Sequence, residues 1–116
     1  VVFVGKTRPE QRGKSGALVS LQYSCYKILA RETIQSIADE AAETFPVHAI
    51  RIAHHTDKVC VNHPSVVIAV GAMHRDEAFH ACRFLIDTIK ERVPIWKKEQ
   101  WPNGSTWSKG VEIKLQ

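Results

Sequence analysis

The stretch that decides the fold is residues 66–101, which read VVIAVGAMHRDEAFHACRFLIDTIKERVPIWKKEQW. Residues 66–70 are an apolar run short enough to form a buried strand. Residues 75–92 then follow the helical period, with an apolar stripe of Ala78, Phe79, Cys82, Leu85, Ile86 and Ile89. Pro94 ends this helix, and residues 95–101 can run extended. The stretch therefore predicts a strand, a helix and a further strand.

The chain around this stretch also mixes strands with a helix. The predicted elements are a strand at residues 1–4, a polar loop at 6–16, a strand at 17–24, a helix at 26–45, a strand at 48–54, an irregular turn at 57–65, and, after residue 101, a turn at 102–104 and a last short segment beginning at Trp107. In the first helix Leu29, Thr33, Ile37 and Ala41 share one face, and Pro46 ends it. These elements predict the α+β class.

The composition fits one globular domain. With 116 residues, 44% hydrophobic and 24% charged, the chain suits a single compact domain over residues 1–116, mostly antiparallel sheet with two main helices. No apolar run reaches the length of about 18 residues that a membrane span needs. The three cysteines lack C-x-x-C spacing, which favours a reducing, cytoplasmic location over a disulfide framework. Because Val1 already reads as strand, we expect a natural N-terminal segment to precede it.

The net charge is +4 and the pI is about 9.1, which favours anionic partners. One candidate binding element is the loop of Lys6, Thr7 and Arg8, where Gly5 lets the backbone turn sharply after a strand. Two cations on one loop can hold a phosphate or carboxylate. The alternative interpretation is a solvated basic loop.

A second candidate is His74-Arg75, at the start of the second predicted helix. A helix N-terminus attracts anions through its free N–H groups and its dipole. A cation there is electrostatically unfavourable, and a bound anion would resolve the conflict. Alternatively, His74 caps the helix and Arg75 points to water.

A third candidate set lies around the end of that helix and on the strand after it. Lys90 by itself complements the helix dipole, but an ammonium near another cation loses its proton more readily. A neutral lysine can transfer protons or attack a carbonyl carbon. Side chains alternate along a strand, so Lys97 and Glu99 share one face and Lys98 faces away.

Other chemistries find little support in the sequence. His54, His55, His63 and His74 show no zinc-ligand spacing, so no metal site is predicted. There is also no P-loop, no G-x-G-x-x-G and no G-x-S-x-G motif. The three tryptophans could stack on nucleic acid, but at strand spacing they favour core packing.

Together these motifs resemble the catalytic (large) subunits of molybdopterin synthase, the MoaE family. Residues 3–8, FVGKTR, are similar to the family's F-x-G-x-x-R, and residues 74–79, HRDEAF, to its H-R-x-x-A-F. The most specific match is residues 86–90, IDTIK, with residues 94–99, PIWKKE. The resemblance covers nearly the whole chain and implies a fold like the α/β-hammerhead.

The resemblance also implies a function. A sulfurtransferase of this family moves two sulfurs from the C-terminal thiocarboxylate of a small ubiquitin-like subunit to cyclic pyranopterin monophosphate, which forms the dithiolene of the molybdenum cofactor. It implies Lys90 and Lys97 as catalytic residues that transfer protons and stabilise oxyanions. The implied substrate-binding residues are Lys6, Thr7, Arg8, His74, Arg75, Lys98 and Glu99. No cofactor, nucleic acid or membrane partner is expected.

The spacing of the cations predicts a homodimer. Arg75 and Lys90 are separated by most of one helix, which at about 1.5 Å per residue is roughly 22 Å. One small pocket cannot easily collect both from the same chain. We therefore expect the site to take His74 and Arg75 from a second copy. The resemblance implies that this homodimer belongs to a heterotetramer that includes two small subunits.

Two alternatives stay open. The first is a non-catalytic basic module that binds phosphate-bearing ligands or RNA, which would need exposed aromatic side chains beside its cations. The second is a degenerate family member that dimerises and binds the small subunit without activity. His55 and Asp57, which depart from the family's usual H-R-x-G, motivate this second alternative.

Overall fold

The computed structural model describes residues 1–12, 16–102 and 104–107, which contain nine strands and two helices. The strands are β1 (Val2–Lys6), β2 (Gln11–Arg12), β3 (Gly16–Ala17), β4 (Ser20–Cys25), β5 (Val47–His54), β6 (Lys58–Cys60), β7 (Pro64–Ala72), β8 (Ile95–Trp101) and β9 (Gly104–Trp107), and the helices are α1 (Lys27–Thr44) and α2 (Arg75–Arg92). All the strand pairs described are antiparallel.

The main core lies between a three-stranded sheet and the two helices. The sheet has the order β1-β7-β5, so β7 is its central strand. Alternate residues of β7 are buried against the helices because successive side chains of a strand point to opposite faces. The core residues are Val66, Ile68 and Val70 of β7, Ala30, Ile37 and Ala41 of α1, and Ala78, Ala81, Cys82, Leu85 and Ile89 of α2.

A second sheet of four strands, in the order β6-β4-β8-β9, has its own apolar cluster. That cluster consists of Leu18, Leu21, Tyr23, Val59 and Trp101. Ile95, at the start of β8, packs against both clusters and so joins the two halves of the molecule. The short strands β2 and β3 pair with each other.

The α+β class is confirmed, and so are both helices. α2 spans residues 75–92 as predicted. α1 begins after its N-cap Tyr26 and ends before its C-cap Phe45, within one residue of the predicted bounds at each end. α2 carries acids in its first turn and Lys90 and Arg92 in its last, which suits the helix dipole at both ends.

Four local predictions are wrong. The expected turn at residues 57–65 contains strand β6, because buried Val59 pairs with Leu21 of β4. Leu29 and Phe79 were expected in the apolar stripes but are 40% and 58% exposed, since the covered face of each helix is narrower than its apolar stripe. The segment expected to begin at Trp107 begins at Gly104, because Trp107 is part of strand β9.

Some expectations concern residues that are not described. Positions 13–15 of the predicted polar loop, Asn103 of the predicted turn and the chain after Trp107 lie outside the described residues. Neither described helix has a stretch long and apolar enough to cross a membrane.

Candidate functional site

A cavity of about 350 Å³ lies where the two sheets meet the C-terminal half of α2. Its apolar lining comes from both halves of the molecule and consists of Leu18, Leu21, Val66, Ile86, Ile89, Val93 and Ile95. The cavity is therefore a product of the tertiary fold, with one wall from each sheet and one from the helix.

Six of the nine predicted site residues line this cavity: Lys6, Thr7, Arg8, Lys90, Lys97 and Glu99. They come from two strands, one helix and the loop that follows β1, which contains Thr7 and Arg8. Lys6 is the last residue of β1, Lys90 lies in the last turn of α2, and Lys97 is on β8. Four cations thus line one pocket, where Lys97 is half-buried and Lys6, Arg8 and Lys90 are exposed. Their combined positive charge attracts an anion.

Strand register explains which residues of β8 reach the cavity. Lys97 pairs with Tyr23 and Glu99 pairs with Leu21, and all four residues line the cavity. Lys98 pairs with Gln22 and belongs to the opposite face of the sheet, so it is not among the lining residues. Glu99 is 5% exposed, which makes it the most deeply buried of the four.

His74 and Arg75 also lie away from the cavity. His74 is the N-cap of α2 and makes no side-chain capping bond, and Arg75 is the first residue of the helix. Both are exposed, at the helix end opposite Lys90. Their role in substrate binding stays a prediction.

The cavity also contains four polar residues that the sequence did not single out as site residues: Glu10, Tyr23, His54 and Ser65. Ser65 Oγ lies 3.1 Å from Thr7 Oγ1 and also hydrogen-bonds Tyr23. The ring of Tyr23 stands edge-on to that of His54, with centroids 5.3 Å apart. His54 comes near the loop of Lys6 to Arg8 because His54 and Gly5 are both partners of Val66 across the three-stranded sheet.

Burial changes the acidity of two of these groups. Burial raises the pKa of the Tyr23 hydroxyl, and its hydrogen bond with Ser65 opposes part of that effect. Burial also lowers the pKa of His54 from its ordinary value of 6.5. Both side chains are therefore uncharged at neutral pH.

Gly5 allows the close approach of β1 to β7 at the mouth of the cavity. A Cβ atom at this position would lie 2.8 Å from Cγ1 of Val66 and 3.4 Å from the ring of Phe3. Val66 is buried and its β-branched side chain has little rotamer freedom. A larger residue at position 5 would therefore displace a side chain of the cavity lining.

A second groove, of about 420 Å³, continues from the cavity along α2 and β1. Ile86 and Lys90 line both spaces, and the remaining lining is Val1, Val2, Phe3, Phe79, Cys82, Arg83 and Asp87. β1 is an edge strand of its sheet. Within the described ranges, no three His, Cys, Asp or Glu side chains are grouped to hold a metal ion.

The fold and the pocket define a class of protein: an α+β domain with a cationic, partly apolar pocket suited to anionic substrates. Residues 1–92 match the protein family described as MoaE protein, and the chain belongs to that family.

Curated relatives extend the match over most of the chain. The chain is 41% identical to the molybdopterin synthase catalytic subunit of Arabidopsis thaliana, over 96% of this chain and 55% of the relative. It is 42% identical to that of a Nostoc species, over 92% and 65%, and 40% identical to that of Thermoplasma volcanium, over 90% and 75%. The chain thus spans between about half and three quarters of these relatives' lengths.

Solved structures share the fold. Molybdopterin synthase from Staphylococcus aureus superposes with a TM-score of 0.87 at 37% identity, over 93% of this chain and 77% of that one. A complex of subunits 1 and 2 of molybdopterin-converting factor from Helicobacter pylori contains a chain with a TM-score of 0.78 at 21% identity, over 97% and 74%. At that identity the second likeness concerns the fold alone.

Proposed function

We propose that this chain is the catalytic subunit of a molybdopterin synthase. In this role it transfers two sulfurs from the C-terminal thiocarboxylate of a small partner protein to cyclic pyranopterin monophosphate. The observation that carries the proposal is the convergence of Lys90 and Lys97, from a helix and a strand, on one pocket with Lys6 and Arg8. The names of the curated relatives, molybdopterin synthase catalytic subunits, support the activity.

The charge of the pocket suits both reactants. A thiocarboxylate and a phosphate are anions, and they can share one site only if cations offset their repulsion. Lys90 and Lys97 protonate the leaving oxygen and stabilise the oxyanion that forms as sulfur adds to the substrate. Lys6 and Arg8 bind the phosphate, and the apolar lining limits the access of water to the reacting atoms.

We further propose that the site is completed by a second copy of the chain. His74 and Arg75 are too far along α2 to reach the pocket of their own chain, as the helix rise of roughly 22 Å predicts. If two α2 helices pack antiparallel about a twofold axis, Arg75 of one copy lies beside Lys90 of the other. Two cations brought together in this way favour a bound anion between them.

The surface beside α2 supports this packing. Phe79 is 58% exposed and Val2 is 66% exposed, and both line the groove that continues from the pocket. In an antiparallel pair centred between residues 82 and 83, Phe79 of one helix faces Ile86 of the other. The exposed ring thereby gains an apolar partner at the same interface that brings His74 to the pocket.

The test is an assay in which the chain is mixed with thiocarboxylated small subunit and pyranopterin precursor. We expect the dithiolene product from the unmodified chain, and none above background from Lys90→Ala or Lys97→Ala. If the unmodified chain binds the small subunit but forms no product, it acts as a scaffold and the proposed catalysis is wrong.

A further inference from the structure

The pocket has a group of uncharged hydrogen-bonding side chains besides its cations: Thr7, Tyr23, His54 and Ser65. Three of them are occupied with one another, since Ser65 hydrogen-bonds both Thr7 and Tyr23. His54 is not part of that chain of hydroxyls, although its ring is in edge contact with Tyr23. His54 therefore adds to the pocket lining a polar ring that the hydroxyl network does not use.

The hydrogen bond of His54 fixes the chemistry of its other nitrogen. Nδ1 lies 2.6 Å from the carbonyl oxygen of His55. A carbonyl can only accept, so Nδ1 carries the hydrogen and the neutral ring has its lone pair at Nε2. The lowered pKa of His54 keeps the ring in this neutral form. Tyr23 packs edge-on and restricts the rotation of the ring.

The neutral acceptors of this pocket are His54 and the hydroxyls of Thr7, Tyr23 and Ser65. The three hydroxyls are hydrogen-bonded to one another, so His54 is the neutral acceptor outside that network. Lysine and arginine side chains can only donate hydrogen bonds. Glu10 and Glu99 can accept, but both already interact within the chain. A carboxylate would also repel anionic reactants, whereas a neutral imidazole accepts a hydrogen bond without that electrostatic cost.

We infer that His54 is a substrate-binding residue whose Nε2 accepts a hydrogen bond from an N–H group of the substrate's uncharged ring system, while the cations hold its phosphate. The inference rests on the proposed function, because a pterin is a substrate that carries both an anionic group and ring N–H donors. The cations of the pocket then bind the phosphate of the substrate, and the neutral His54 binds its ring system.

The experiment compares His54→Phe with His54→Gln. Phenylalanine keeps an aromatic ring against Tyr23 and removes the acceptor, and glutamine keeps an amide oxygen able to reach the same position. Binding of the pyranopterin precursor is measured by calorimetric titration, and KM is measured for the precursor and for the thiocarboxylated small subunit separately. Thermal melting checks that each variant is folded, and His54→Leu replaces His54→Phe if that variant does not melt cooperatively.

We expect His54→Phe to weaken precursor binding about three- to tenfold, the effect of one hydrogen bond, with the KM for the small subunit unchanged. His54→Gln should recover most of the loss. Precursor affinity equal to that of the unmodified chain, or an equal change in both KM values, would overturn the inference.

Failure of the proposed function gives a different result. An unmodified chain that binds precursor but forms no product contradicts the proposed catalysis alone, and the titrations still test His54. An unmodified chain that forms product, with precursor binding unchanged in His54→Phe, contradicts the role of His54 alone. If the unmodified chain does not bind the precursor, both proposals fail.

Discussion

At the residue scale, Lys97 and Lys98 differ in position more than their adjacency suggests. They carry the same charge, yet Lys97 pairs with Tyr23 on the cavity face of β8 and Lys98 pairs with Gln22 on the opposite face. Each is therefore the natural control for the other. Comparing an alanine substitution at Lys97 with one at Lys98 separates the effect of a positive charge in the pocket from that of a positive charge outside it.

We expect Lys97→Ala to lower kcat by about 10²- to 10⁴-fold, the usual contribution of a proton-transferring side chain. Lys98→Ala should keep kcat within about threefold, because a charge on the far face of a sheet is screened from the pocket. Steady-state assays of sulfur transfer give both values. Equal losses in the two variants would mean that overall charge, and not position, determines the rate.

The sequence predicted part of the site and missed the rest for a physical reason. Alternation along a single strand is a local property, so the shared face of Lys97 and Glu99 could be derived from spacing. Tyr23, His54 and Ser65 lie on β4, β5 and β7, and they meet only because two sheets pack together. Which strands neighbour one another is a non-local property that spacing does not contain.

At the scale of elements, α2 was predictable because its period, its acidic first turn and its terminal Pro94 all agree. β6 was not, since its three residues Lys58–Cys60 are held by pairing with β4 rather than by their own pattern. The helical period places Phe79 in the apolar stripe, because period alone gives the apolar face of a helix. It does not give the width of the surface that covers this face.

Substitution by alanine should therefore have different effects at a buried and at an exposed position of the α2 stripe. Leu85 is fully buried, so Leu85→Ala should lower the free energy of unfolding by about 2–5 kcal/mol through the cavity it leaves. Phe79→Ala should lower it by less than about 1 kcal/mol in the monomer, because the ring is mostly exposed. Urea unfolding at low protein concentration measures both effects. A loss at Phe79 as large as that at Leu85 would place Phe79 in the core after all.

The contact between β1 and β7 gives a second element-scale prediction. Gly5→Ala brings a methyl group to within 2.8 Å of Val66, and we expect it to destabilise the fold by about 1–3 kcal/mol through overpacking. Gly71→Ala is the matched control on the same sheet, because its nearest contact would be an ordinary 3.4 Å to Ala49. Thermal melting of the two variants should therefore separate them. If Gly71→Ala were as unstable as Gly5→Ala, the sheet would be destabilised by a methyl group at either glycine, and the close contact with Val66 would not be the cause.

At the scale of the whole molecule, the pocket depends on how the parts are arranged. One wall comes from each sheet, and Lys90 stands where the pocket continues into the groove along β1. The predicted site residues thus divide into two groups. Lys90 and Lys97 lie in the pocket of their own chain, while His74 and Arg75 lie at the far end of α2.

This division predicts that two inactive variants complement each other. Arg75→Ala and Lys90→Ala homodimers each have two damaged sites, but a mixed dimer has one pocket with Lys90 from one chain and Arg75 from the other. After subunit exchange half of the dimers are mixed, so sulfur-transfer activity should return to about one quarter of the unmodified level.

Lys90→Ala mixed with Lys97→Ala is the control. Both residues belong to the same pocket, so every site in that mixture lacks a lysine and no activity should return. Recovery in the control, or none in the test mixture, would mean that the site is not shared between copies in the way proposed.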